Sequence, residues 1–174
     1  SCSSLKSIDL SNCETIGNST FASCNNLQSV TLKKCKTIES YAFYDCSSLK
    51  NIDLSICETI GSKAFAECKN LEAVSIPNTT KYMGYKCFNG NTTLTLYAKN
   101  APTLDERSND PLDKDNFVLG KTTLIIVPEE LLTTYQTADV WNRMSENIFP
   151  MGTQFDYDVE ANAQASTSGL QKAI

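Results

Sequence analysis

Tyr41-Ala42-Phe43-Tyr44-Asp45-Cys46-Ser47-Ser48-Leu49-Lys50-Asn51-Ile52 is matched 22 residues later by Lys63-Ala64-Phe65-Ala66-Glu67-Cys68-Lys69-Asn70-Leu71-Glu72-Ala73-Val74. Ala-Phe, Cys, Leu and a β-branched residue return at the same spacing. The pattern extends in both directions. Cys2, Cys24, Cys46 and Cys68 lie on one series with a step of 22, and Cys13, Cys35 and Cys57 on a second series offset by half a period. Leu5, Leu27, Leu49 and Leu71 follow the first cysteines, then Ile8, Val30, Ile52 and Val74, then Leu10, Leu32, Leu54 and Ile76. Ile16, Ile38, Ile60 and Met83 come next, and Phe21, Phe43, Phe65 and Phe88 close each unit. A fixed period of this length is the signature of a solenoid, in which each turn of chain stacks on the one before.

The first half of each unit reads L-x-x-I-x-L-x-x-C. Its Ile-x-Leu centre alternates with period two, which predicts a short strand with two side chains inward and their neighbours outward. Parallel strands stacked in this way lie about 4.8 Å apart, so like side chains form rows that only the adjacent turns can bury. The fourth unit is one residue longer, lacks the second cysteine, and is followed by loss of the repeat after Leu94.

Composition narrows the function classes. The chain has 174 residues, 41% of them hydrophobic, and a net charge of −5. It shows no basic stripe to neutralise phosphates, so nucleic acid is not an expected partner. No apolar run is long enough to span a membrane. There is no histidine, which removes His-based triads, most general bases near neutral pH and the commonest metal ligand. Ser1-Cys2-Ser3 already lies inside a repeat, so a fragment boundary is expected there.

The run from Tyr41 to Ile52, with Ala64–Leu71 and Ile60–Phe65, resembles the leucine-rich repeats, and within them the BspA-like (Treponema-type) subclass. The resemblance covers residues 1–96. Thr123–Pro128, Leu131–Tyr135 and Ala138–Trp141 resemble the closing module of such proteins in gut anaerobic bacteria, and Thr95–Leu104 resembles the strand and Pro-Thr turn that precede it. The resemblance implies an α/β-type solenoid, mostly β: a right-handed leucine-rich-repeat stack of parallel strands with a small C-terminal β-plus-helix cap. The expected division is repeats at 1–96, a capping module at 97–155 and a polar tail or linker at 156–174.

Read physically, Leu124–Val127 is a strand by composition, ended by Pro128. Glu129–Gln136 has helical character with acidic residues in its first turn, as the helix dipole favours. Leu132, Tyr135 and Trp141 are expected to cover the open end of the stack.

Eight cysteines invite a disulfide or metal reading. The repeat supplies another: Cys2, Cys13, Cys24, Cys35, Cys46, Cys57 and Cys68 form a structural ladder of small, apolar, inward side chains. Disulfides between neighbouring rungs stay open, since the strand spacing lies within the allowed Cα range. Zinc is disfavoured, because the spacing lacks the short Cys pairs of zinc modules. Cys87 falls off both series and occupies the slot of Ala42 and Ala64. No cofactor and no metal site are expected.

Glu14, Lys36, Glu58 and Lys81 alternate in sign once per turn and predict a surface ion ladder that contributes little to stability. Asp110, Asp113 and Asp115, within an acidic stretch at 105–116, miss the calcium-loop pattern. Asn18-Ser19-Thr20, Asn78-Thr79-Thr80 and Asn91-Thr92-Thr93 match the glycosylation sequon.

The outward strand positions are the binding candidates: Ser7, Asp9, Ser11, Ser29, Thr31, Lys33, Asn51, Asp53, Ser55, Ala73 and Ser75. Leucine-rich repeats usually bind with this concave face, which here is small, polar and nearly free of aromatics. Tyr41, Tyr44, Tyr82 and Tyr85, on the convex side, form a second candidate patch, since interface hot spots favour aromatics.

The expectation is a non-enzymatic cell-surface binding or adhesion module. The resemblance implies a bacterial protein that is secreted or, in its full-length precursor, lipid-anchored, with a host or bacterial surface protein or polysaccharide as partner. The alternative is a structural spacer within a larger secreted protein whose active domain lies elsewhere. No nucleophile–base pair or phosphate loop supports an enzyme.

Overall fold

A computed structural model describes residues 2–88, 92–105 and 124–153. The chain forms a mostly β solenoid in which each turn contributes three stacked runs.

The first run carries the Ile-x-Leu strands. β1 (Ser7–Asp9) pairs in parallel with β3 (Ser29–Thr31), with Ile8 beside Val30. Further along, β6 (Ala73–Ile76), β8 (Thr93–Leu96), β10 (Leu124–Val127) and β11 (Ile148–Pro150) form a second parallel sheet in the order β11-β10-β8-β6. Hence the stack continues through β8 to β11 even though the side-chain repeat fades after Leu94. What persists is alternation: Leu94 and Leu96, then Ile125 and Val127, point inward and are buried.

The second run was not legible as strand in the sequence. β2 (Thr15–Ile16), β4 (Thr37–Ile38), β5 (Thr59–Ile60), β7 (Tyr82–Met83) and β9 (Thr103–Leu104) make a five-stranded parallel sheet of two-residue strands. Two residues are too few to show a period. Only stacking on identical neighbours makes them strands. The extra residue of the fourth unit is absorbed before this sheet, since Thr59 pairs with Tyr82.

The third run turns the chain back. Ser19, Ser23, Tyr41, Asp45 and Lys63 have φ between 54° and 59°, a left-handed conformation that non-glycine residues seldom adopt. Its cause is the stack. Each of these residues donates its backbone N–H to a carbonyl one turn on: Ser19 to Ser40, Ser23 to Tyr44, Tyr41 to Ser62, Asp45 to Ala66 and Lys63 to Tyr85, at 2.8–3.1 Å. Between them Phe21, Phe43, Phe65 and Phe88 stack face to face, with centroids 5.3, 5.3 and 5.1 Å apart and planes within 11°.

One predicted strand is missing. Asn51–Leu54 aligns with β1 and β3 in sequence, but no backbone hydrogen bond among the described residues ties Asn51–Asp53 to β3 or to β6. The segment lies where the two sheets of the first run meet. It is held instead by side chains, with Leu49 and Leu54 buried, and by the second run, where Thr37 pairs with Thr59.

At the C-terminal end a 3-10 turn (Glu129–Leu131), the helix α1 (Leu132–Thr137) and a 3-10 segment (Trp141–Asn147) lie over the stack. Tyr135 and Trp141 are fully buried, meet edge to face at 5.1 Å, and donate hydrogen bonds to the Ala98 and Pro102 carbonyls at 2.9 and 2.7 Å. Leu132 is only half-buried at the edge of this contact.

Candidate functional site

The outward positions of the first run form three rows across successive turns. Strand register places Ser7, Ser29 and, further on, Ala73 and Thr93 in one row, and Asp9, Thr31, Ser75 and Thr95 in the next. Asn51 and Asp53 take the intervening places by sequence period. The third row lies one residue past the inward leucines: Ser11, Lys33, Ser55, Pro77 and Tyr97. Ser7, Asp9, Ser29, Thr31, Lys33, Asn51, Asp53, Ser55, Ala73 and Ser75 are exposed, and Ser11 is half-exposed. Asp9 and Asp53 each accept the amide of the residue two further on, Ser11 and Ser55, at 2.9 Å. For Asp9 the Ser11 hydroxyl, and then this amide, hold the carboxyl below its usual range.

The face is not uniform. Where the strand is missing, a groove of about 470 Å³ opens, lined by Asn51, Asp53, Ser55, Ala73, Ser75 and Tyr97, with Ile52, Leu54 and Pro77 beneath and beside them. Tyr97 is 46% exposed. It is not among the outward positions predicted from the period, which end at Ser75. The step from β6 to β8 is shorter than the period, pairing Ala73 with Thr93, so a count by 22 passes Tyr97 by. The alternating Thr93-Leu94-Thr95-Leu96 is the signal that could have found it. The strand face therefore has an aromatic side chain at this recess.

The BspA type Leucine rich repeat region family matches residues 1–101 in 6 copies. The chain belongs to this family. No curated protein matches it significantly. Leucine-rich repeats are in general non-enzymatic modules that bind proteins, and BspA-type proteins are typically surface or secreted. Among the described residues no helix is long and apolar enough to cross a membrane.

In this BspA-type chain the four convex-side tyrosines are split. Tyr41 and Tyr44 lie together, with ring centroids 5.6 Å apart and Lys63 over the Tyr41 ring at 5.5 Å. Tyr85 carries Lys86 at 5.0 Å. Tyr82 sits in β7 and donates to Asp105 at 2.9 Å, a carboxylate that Ser62 also reaches. Only Tyr41 is exposed.

The cysteines stand inside the BspA-type stack as free thiols. Cys46 and Cys68 donate to the Phe21 and Phe43 carbonyls at 3.1 Å. Cys35 and Cys57 donate to Thr37 and Thr59 at 3.4 Å. Cys24 is buried and accepts the Cys2 amide, while Cys2 is exposed and Cys13 half-exposed. Cys87 is fully buried on the rung of Ala64 and Ala42, its carbonyl bonded by Phe65 as theirs are by Phe43 and Phe21. Burial pushes the Cys46, Cys57 and Cys68 thiols up to about 12 and raises Cys24, Cys35 and Cys87 as well. A thiol so raised is neutral and a poor nucleophile. Thr80 takes the rung below Cys57 and donates to its carbonyl at 2.8 Å, so a hydroxyl replaces the second-series cysteine.

The ion ladder forms one pair among the described residues, Lys81 with Glu58 at 2.7 Å. Glu14, Lys36, Glu58 and Lys81 are joined mainly by their backbones: the N–H of Lys36, Glu58 and Lys81 bonds the carbonyl of Glu14, Lys36 and Glu58 in turn, at 2.8–2.9 Å. Among the described residues no group of metal-ligating side chains comes together. Asp110, Asp113, Asp115 and Asn91 lie outside the described residues. Asn18 and Asn78 are exposed.

Proposed function

We propose that the chain is a cell-surface adhesion module of a secreted or lipid-anchored protein from a gut anaerobic bacterium, binding a host or bacterial surface protein or polysaccharide through its outward strand face. The observation that carries this reading is the face itself: three parallel rows of exposed side chains, broken by a groove at Asn51–Ser55 and Tyr97. Successive turns present outward side chains in the same register, so the contact is multivalent, and weak single contacts add through effective concentration. The repeat scaffold contributes rigidity: the side chains arrive preorganised and little entropy is lost on binding.

The experiment is to probe the immobilised chain against a panel of purified host surface proteins and glycans. The adhesion reading expects a specific binder that is lost when Asp9, Thr31 and Lys33 are replaced together by residues of altered charge or bulk. A chain that binds nothing in either panel is instead the spacer.

A further inference from the structure

The groove contains one phenol ring, one carboxylate, one amide and two aliphatic hydroxyls: Tyr97, Asp53, Asn51, Ser55 and Ser75. None of its lining residues is Lys or Arg. An anionic ligand would meet Asp53 with no compensating charge. A wholly apolar ligand would strand the polar rim without hydrogen bonds. The pairing of an exposed ring with a planar amide and a carboxylate instead suits a molecule with an apolar face and a rim of hydroxyls. A neutral pyranose is such a molecule.

Two further observations point to a ligand of that kind. First, Asn51–Asp53, whose residues line the groove, has no backbone hydrogen bond to either flanking strand, so amides and carbonyls that the other turns spend on pairing are not spent on it here. Second, Asp53 commits one carboxylate oxygen to the Ser55 amide at 2.9 Å. That bond fixes the orientation of the group and leaves the other oxygen for a hydroxyl. Tyr97 and Ser55 line the groove from the same row, with Pro77 between them. A ring packed on Tyr97 is therefore adjacent to hydroxyls held at Asn51 and Asp53, and the open groove lets a chain of sugars run past. Its volume lies within the range of about 300–1,000 Å³ usual for small-ligand sites.

We propose that this groove is a glycan subsite, in which Tyr97 stacks on a neutral pyranose while Asn51, Asp53 and Ser55 bond its hydroxyls; it rests on the reading of the strand face as a binding surface. The site discriminates against uronate- and sialate-bearing glycans through Asp53.

The test is a glycan array with the 174-residue chain, followed by calorimetry of any neutral oligosaccharide it retains. The wild type is compared with Tyr97→Ala, Tyr97→Phe, Asp53→Asn and, as a control, Asn25→Ala at an exposed site outside both candidate surfaces, each first checked by thermal melting. Tyr97→Ala and Asp53→Asn are expected to weaken binding by ~10-fold or more, the scale of one lost ring contact or charged hydrogen bond. Tyr97→Phe keeps the ring and stays within ~3-fold, and Asn25→Ala leaves binding unchanged. Retention of no neutral glycan, or binding indifferent to Tyr97→Ala, overturns the proposal. If the chain then still binds a purified surface protein, sensitive to changes at Asp9 and Lys33, the adhesion reading survives and the glycan subsite does not.

Discussion

The Cys68 thiol donates to the Phe43 carbonyl 3.1 Å away, one turn earlier in the stack. Cys46 makes the same bond to Phe21. Each of these cysteines thus fills an inward slot and gives a second bond to a carbonyl that also accepts a backbone amide, Cys46 N–H at Phe43 and Cys24 N–H at Phe21. Cys68→Ala removes the thiol's volume and its bond but leaves the Phe43 carbonyl partnered, and is expected to cost about 1 kcal/mol, mostly for the small cavity. Cys68→Ser keeps the donor and loses less. Urea unfolding of the two variants tests the order; an alanine variant as stable as wild type would show the thiol to be passive filler.

Burial divides the eight thiols into classes. Cys2 is exposed and Cys13 half-exposed, whereas Cys24, Cys35, Cys46, Cys57, Cys68 and Cys87 are buried. An aromatic disulfide reagent added to the native, unreduced protein should modify Cys2 and Cys13 promptly. The other six should react only in denaturant. A total well short of eight in denaturant would mean that rungs are paired as disulfides.

The raised thiol pKa values set the alkaline limit. Cys46, Cys57 and Cys68 ionise near 9 when unfolded and at about 12 when folded. The folded state therefore holds its protons more tightly. Their contribution is complete below pH 9 and is lost progressively as pH rises from 9 towards 12, each thiol adding up to about 1.4 kcal/mol per pH unit to the slope. Unfolding free energy should be level in this respect from pH 7 to 8 and fall above 9. Cys57→Ala should make that fall shallower, and an unchanged slope would assign the alkaline transition to other groups.

Gly17, Gly61 and Gly84 stand at equivalent places, yet the stack treats them differently. A Cβ on Gly61 would lie 2.5 Å from the Glu39 carbonyl carbon, and one on Gly84 would lie 2.6 Å from that of Gly61. Both obstacles are backbone in the previous turn. A Cβ on Gly17 meets only side-chain atoms, the nearest at 3.5 Å. Gly84→Ala is expected to destabilise by about 2 kcal/mol or more, while Gly17→Ala is neutral or gains a few tenths, ~0.4 kcal/mol, from the unfolded chain. Thermal melts of the two variants decide it, and equal shifts would contradict the close approach at Gly84.

Ser23 holds φ at 57° to send its N–H to Tyr44. Ser23→Gly removes the side-chain penalty of about 1–2 kcal/mol but adds freedom to the unfolded chain. A net gain of ~0.5 kcal/mol is expected, read as a rise in the urea midpoint. A loss would mean that the serine side chain contributes more than the strain it causes.

Much of this was legible because a solenoid is almost one-dimensional. Each turn contacts the next at a fixed sequence offset, so Phe43 on Phe65 and Cys46 beside Cys68 can be read from the period alone. The inward rows and the capping roles of Tyr135 and Trp141 follow from side-chain type and spacing. Two-residue strands such as Thr37–Ile38 were not legible, since nothing local distinguishes them from a turn. The left-handed residues were hidden for a similar reason. Tyr41 and Lys63 have no intrinsic preference for positive φ, and only the carbonyls of the next turn impose it.

The site divides along the same line. The sequence by itself determined the family of fold, the inward lattice of Leu, Ile, Phe and Cys, and which positions of each strand face outward, because these depend on a repeat that every turn shares. The tertiary structure alone decided where that shared surface becomes singular. It unpaired Asn51–Asp53 at the junction of two sheets and shortened the step to β8, which brought Tyr97 to the same groove. A period predicts what the turns have in common. A recess with one aromatic ring arises where stacking departs from the period, and that departure is settled by backbone pairing between turns rather than by the residues of any one of them.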